Sequence, residues 1–119
     1  MLVLVPTRED VLAIRSIEEA FDLWTRMPTR REVALIRVAL DERLIALTQH
    51  AWDAAAEESI TEESVWRTVR RGSARSKDVD DHSGRQIGIN FDGRPRGDRE
   101  MRVKVSWQVR YFIPTVHSL

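Results

Sequence analysis

Gln86-Ile87-Gly88-Ile89-Asn90-Phe91, followed by Met101-Arg102-Val103-Lys104-Val105-Ser106-Trp107, decides how this chain folds. In both stretches apolar residues alternate with polar or small ones, the two-residue period of a strand with one face buried. Asp92-Gly93 begins a turn after the first, and a loop holding Arg94, Pro95, Arg96, Gly97 and Arg99 leads to the second. Val109 to Val116 is rich in β-branched and aromatic residues and predicts a third strand, with Pro114 marking an edge or a bulge near its end. Trp107-Gln108 is the natural reversal, so the back of the chain reads as an antiparallel sheet.

Toward the front the period changes to that of helices. Ser73 to Arg85 has no periodicity, carries five charges between Arg75 and Asp81, and reads as an exposed and mostly mobile connection. Before it, Thr61 with Glu62 and Glu63 opens a short helix striped by Val65, Trp66 and Val69 and closed by Arg70-Arg71-Gly72. The alanine-rich run His50 to Glu58 favours helix by propensity, with Ser59-Ile60 as its turn. Leu44 to Thr48 fits either the continuation of a helix or a short strand. Thr29-Arg30-Arg31-Glu32 is a capping box that starts a helix through Val33, Leu35, Ile36, Val38, Ala39, Leu40 and Leu44. A first helix is expected from Thr7 and Asp10 through Val11, Leu12, Ile14, Ile17, Ala20, Phe21 and Trp24, stopping at Met27-Pro28. The pattern predicts an α+β fold: N-terminal helices packed on a small twisted antiparallel sheet of about three or four strands, in one domain over residues 1–119.

Composition narrows the chemistry. With no cysteine there are no disulfides, no thiolate metal ligands and no thiol nucleophile, which suits a reducing, cytoplasmic setting. The opening apolar run stops at Pro6, too short for a signal-peptide core, and no uncharged stretch has the length of a membrane span. Net charge is zero but divided: residues 1–60 carry 7 Arg against 11 Asp and Glu, and residues 61–119 carry 12 Lys and Arg against 8 Asp and Glu. Seventeen of the 19 cations are arginine, whose planar fork suits phosphate and carboxylate recognition. An acidic helical front folded over a basic back would hold the basic face shut by charge complementarity.

Arg94, Arg96, Arg99, Arg102, Lys104 and Arg110 lie on or beside one expected hairpin, and alternation puts Arg102 and Lys104 on the same face. Such a surface suits RNA phosphates or an acidic protein. His50, His82 and His117 are the side-chain type that exchanges protons near neutral pH. No two of them stand at the spacing of a zinc site, Asp78, Asp80 and Asp81 continue into no calcium loop, and the glycines are too scattered for a phosphate loop. Neither a metal nor a cofactor is expected.

Leu47-Thr48-Gln49-His50-Ala51 opening one helix, Ile60-Thr61-Glu62-Glu63-Ser64-Val65 opening the next, Arg71-Gly72 closing it, and the final Ile113-Pro114-Thr115-Val116-His117 together resemble the small bacterial family called domain of unknown function 4258, allied to RelE- and barnase-type toxin ribonucleases. The resemblance spans residues 44–119 and leaves residues 1–43 as a helical extension. It implies a RelE-like core of two helices against a twisted sheet, and metal-independent RNA cleavage through attack of a ribose 2′-hydroxyl on the neighbouring phosphate. By that resemblance His50 is the acid–base candidate, Arg85 and Arg102 steady the phosphate, and Thr115 and His117 stand at the strand end. This chain departs from the family at Ala54 and near Glu58, where relatives commonly carry arginine.

Two functions follow as expectations. The first is a RelE-like toxin-type RNA-binding protein or ribonuclease, partnered by RNA and by an antitoxin. The second is a non-enzymatic inhibitor, phage-encoded in one version, that blocks a host protein or nucleoprotein through its helices or its arginine-rich hairpin.

Overall fold

The computed structural model describes residues 5–79, 86–95 and 99–119. The start of the opening apolar run, most of the connection's acidic end with His82, and the candidates Arg85 and Arg96 lie outside them. The elements are α1 (Arg8–Leu12), α2 (Ile17–Ala20), α3 (Arg30–Asp41), β1 (Ile45–Leu47), α4 (Gln49–Glu57), α5 (Glu62–Arg71), β2 (Ser73–Val79), β3 (Gln86–Gly93), β4 (Met101–Trp107) and β5 (Tyr111–Ser118). The fold is α+β, with a five-stranded mixed sheet ordered β1-β5-β4-β3-β2. β1 runs parallel to β5, and the other neighbours are antiparallel.

Side-chain capping sets the helix starts. Thr29 accepts from the Glu32 amide while Glu32 accepts from the Thr29 amide, the reciprocal box that satisfies two orphan donors of α3. Thr48 caps α4 and Thr61 caps α5 in the same way from one side. Arg43 and Ser59, both at φ 58°, then turn the chain out of α3 and α4. The Leu44 and Ile60 amides return to the Ala39 and Ala55 carbonyls, closing each helix with the left-handed cap usually given to glycine.

Three expectations are corrected. The sheet has five strands and is mixed, rather than three or four antiparallel strands, because Ile45–Leu47 adds a parallel strand beside β5 and Ser73–Val79 an antiparallel one beside β3. Ser73–Val79 is not part of an exposed connection but the edge strand β2. It pairs with β3 from Ser73–Asp92 to Val79–Gln86 through two register shifts, and those bulges break the alternation that would have revealed it. The single helix expected over residues 7–27 is instead two short helices followed by an irregular segment. Its apolar spacing is used, since Val11, Ile14, Ala20, Phe21 and Leu23 are all buried, but tertiary bonds replace helical ones after Ala20. The Asp22 amide donates to Glu32 Oε2 at 2.9 Å, and the Asp22 carbonyl accepts from Lys77 of β2.

One face of the sheet carries Ile89, Phe91, Met101, Val103, Val105, Tyr111, Ile113 and Val116, all buried, and meets Leu35, Ile36 and Ala39 of α3, Ala51 and Ala55 of α4, and Val65 and Val69 of α5 in one hydrophobic cluster. Residues 20–25 run across this covered face from β5 to β2. At one end the Tyr111 hydroxyl donates to the Ala20 carbonyl at 3.1 Å and its ring meets Phe21 edge-on, centroids 5.8 Å apart. At the other, Lys77 donates to the Asp22 carbonyl and the Thr25 hydroxyl and pairs with Glu32 at 2.7 Å. That ion pair is enclosed, the two side chains being 0% and 4% exposed.

Burial pushes the Tyr111 phenol's pKa well above its ordinary value, with Arg31 opposing and Glu32 assisting. Ionisation in the unfolded chain begins near pH ~10, so the stability held by the protonated phenol is present below that value and is lost as pH climbs beyond it. Tyr111 is the sole tyrosine, so phenolate absorbance reports it directly. The phenolate signal should rise together with alkaline unfolding, and Tyr111→Phe should flatten that pH dependence while costing about 1 kcal/mol at neutral pH through the lost hydrogen bond. Titration of the folded protein at the ordinary value would refute the enclosure of the ring.

Candidate nucleic-acid interface

The other face of the sheet is polar, and the register brings the sequence candidates onto it. Arg102 stands directly opposite His117, and Lys104 opposite Thr115, on β4 and β5. On the far side of β4, Asp92 stands opposite Arg102 and Asn90 opposite Lys104. Two rows result: Asp92, Arg102, His117, and beside it Ser76, Asn90, Lys104, Thr115. Facing residues in such rows have Cβ atoms ~5 Å apart, close enough for one phosphodiester to touch several.

The rows are internally bonded. Arg102 donates from Nε to Asp92 Oδ1 at 2.7 Å and from Nη2 to Asp92 Oδ2 at 2.8 Å, a bidentate fork. The Asp92 side chain is 7% exposed and that of Arg102 is 32% exposed, so the carboxylate is sunk beneath the guanidinium. The hydrogen bond to Asp92 holds the Arg102 pKa above its ordinary value against the opposing desolvation, with the Asp92 and Glu100 charges adding to the rise. Guanidinium has five N–H donors, and the fork occupies two, leaving three for a ligand. Lys104 pairs with Asp78 Oδ2 at 2.6 Å, and its stem lies across Gly88, where a Cβ would stand 3.7 Å from Lys104 Cε and 2.9 Å from the Val105 carbonyl. Asn90 Nδ2 donates to Ser76 Oγ at 3.0 Å, and His117 is exposed at the end of its row.

The remaining candidates lie elsewhere. His50 is the second residue of α4, exposed, and among the described residues no hydrogen bond or ion pair joins it to Arg102, Thr115 or His117. Arg99 donates to the Glu58 carbonyl at 2.7 Å, tying the loop before β4 to the end of α4. Arg110, in the reversal between β4 and β5, lines a shallow groove with Val11, Ile14, Leu44 and Trp107. Arg94 follows β3 and faces α5 across a cleft. Among the described residues the acidic front ties to Tyr111 and Lys77 on the covered side of the sheet rather than over the polar face, the reverse of the expected self-inhibition.

Sequence reasoning missed Asp92 and Asp78, the carboxylates that hold the two cations. Asp92 shares the parity of Asn90, so the alternation carried a signal; Asp78 sits beyond a bulge and carried none. Among the described residues no three His, Asp or Glu side chains gather where a metal ion could be held, and no helix is long and apolar enough to cross a membrane.

No family model, curated protein or solved structure matches this chain. Function must therefore be argued from the two rows themselves.

Proposed function

We propose that the protein binds RNA on the polar face of its sheet and cleaves it in the manner of a RelE-like, metal-independent ribonuclease, with an antitoxin as its natural inhibitor. The observation that carries this reading is the row Asp92, Arg102, His117. A guanidinium fixed from below by a buried carboxylate presents donors in a set direction, which is what stabilising the charge of a phosphorane requires. In this reading His117 takes the proton of the attacking 2′-hydroxyl, the leaving 5′-oxygen takes one from water, and Thr115 and Lys104 supply further donors on the adjacent row. The cost in electrostatic steering is plain, because Asp92 and Asp78 offset Arg102 and Lys104 in number.

Cleavage of a labelled RNA by purified protein tests this. His117→Ala should lower the rate by about 10²–10⁴-fold with little change in RNA affinity. Arg102→Ala should lower both, while His50→Ala should leave the rate within a factor of about two, as expected of a surface change away from the site. Equal cleavage by His117→Ala would remove the catalytic role. The same charge balance favours a second reading, a non-enzymatic binding inhibitor, because a face with paired charges releases few counterions from a polyanion. Intact RNA, together with capture of one defined protein partner that Arg102→Ala abolishes, would establish it.

A further inference from the structure

The arginines that the polar face leaves over converge elsewhere. Arg67 and Arg71 project from the last two turns of α5, and Arg94 faces them from the end of β3 across an open cleft of about 230 Å³. Thr68, Gly72 and Gly93 line it between these arginines. A Cβ at Gly72 would stand 2.3 Å from the Thr68 carbonyl oxygen and 2.7 Å from that of Asp92, so this residue type is what lets β3 pass so close to the helix end. The cleft is thus built from the backbone contact between α5 and β3 and is present without a ligand.

Cations at a helix C-terminus ordinarily answer the helix's own carbonyls. That demand is met here by a different residue. Arg37 of α3 donates from Nε to the Val69 carbonyl at 3.3 Å and from Nη2 to the Gly72 carbonyl at 2.8 Å, its guanidinium 5.9 Å from the centroid of the Phe91 ring. Arg70 is taken by Asp41 at 3.0 Å, and Arg67 reaches Glu63 at 3.4 Å in an exposed contact one helical turn away. Among the described residues Arg71 and Arg94 have neither a carboxylate nor a carbonyl partner. Among the described residues these are two guanidinium groups without a counter-charge and a third loosely paired one, held around a preformed cleft, where they repel one another until an anion enters.

We propose that this cleft is a binding site for a phosphate group, gripped by Arg71 and Arg94 with Arg67 joining from the side. Guanidinium recognises phosphate through paired N–H donors in one plane, and groups from opposite walls can take different oxygens of the same phosphate. The site lies at the end of α5 and just past β3, apart from the side-chain rows of Arg102 and Lys104, and stands whether or not the polar face acts on RNA. A terminal phosphomonoester and an internal phosphodiester share the chemistry and differ in charge.

Titration of the full chain with inorganic phosphate at fixed ionic strength, followed through the arginine Nε–H signals and the Gly72 and Gly93 amides, should give saturable shifts confined to this cleft. Arg94→Ala should weaken binding at least about tenfold and Arg94→Lys by a smaller factor, since lysine keeps the charge but not the fork. Arg30→Ala, at an exposed arginine away from the cleft, should leave it unchanged. A 5′-phosphorylated nucleotide that binds more tightly than a dinucleoside monophosphate with free hydroxyl ends would identify a monoester as the ligand, and equal affinity would identify the backbone diester. Shifts that fail to saturate, or that Arg30→Ala reduces as much as Arg94→Ala, would overturn the site. Retention of the folded spectrum by Arg94→Lys guards against loss of binding through unfolding.

Discussion

Lys77→Met should destabilise the protein by about 3–5 kcal/mol, the cost of leaving a buried partner charge uncompensated. Glu32 would then be enclosed beside the irregular segment with its cation gone, and the Asp22 carbonyl and Thr25 hydroxyl would lose their donor. In urea the midpoint should fall by roughly 2 M, given slopes of ~1–3 kcal/mol per molar for a domain of this size. The double variant Lys77→Met with Glu32→Gln separates charge from architecture. Glutamine keeps an acceptor for the Thr29 or Asp22 amide while removing the orphaned charge, so the double variant should recover part of the loss. A cost below about 1 kcal/mol for Lys77→Met would mean that the pair is open to water and that residues 20–25 are not held by it.

Phe91→Ala should cost a comparable 3–5 kcal/mol, the usual range for deleting a large aromatic side chain from a packed interior. Phe91 is fully buried in the row Ala74, Phe91, Val103, Val116. Its ring also backs the Arg37 guanidinium that satisfies the end of α5. The loss should therefore be felt in two places: global unfolding at lower denaturant, and faster amide exchange in the last turn of α5 than in its first. A conservative Phe91→Leu should retain most of the stability while still releasing Arg37, which distinguishes lost volume from the lost ring face.

The parts of the fold legible in the sequence are those governed by local rules. Thr29 with Glu32, Thr48 and Thr61 mark helix starts because each cap is completed within four residues. Strands β3 and β4 are legible because their alternation is unbroken where one face is buried. What escaped reading depends on distant partners. β2 is hidden by its bulges and by Lys77, a charged residue at an inward position whose burial makes sense only once Glu32 is known to face it. The break after Ala20 has the same cause, since Asp22 is held by Glu32 and Lys77 rather than by its own helix. For the polar face, Arg102 and Lys104 could be put on one side from parity alone, and Thr115 and His117 join them through the β4–β5 register. Their carboxylate partners needed the β2–β3 pairing, which the sequence does not announce.

The parallel contact of β1 with β5 has a consequence for how the chain assembles. Thr48 donates through its hydroxyl to the Ile113 carbonyl, residues 65 apart, and the three β1 residues pair with Tyr111, Phe112 and Ile113. The first half of β5 thus lies between a strand made early in synthesis and one made just before it. Closing a loop of that length costs entropy before any contact repays it, so folding should be slow for a domain of this size. While the ribosome is still adding residues before 111, the edges of β1 and β4 have no neighbour, and a nascent chain in that state carries two open sheet edges that only its own β5, or another protein, can cover.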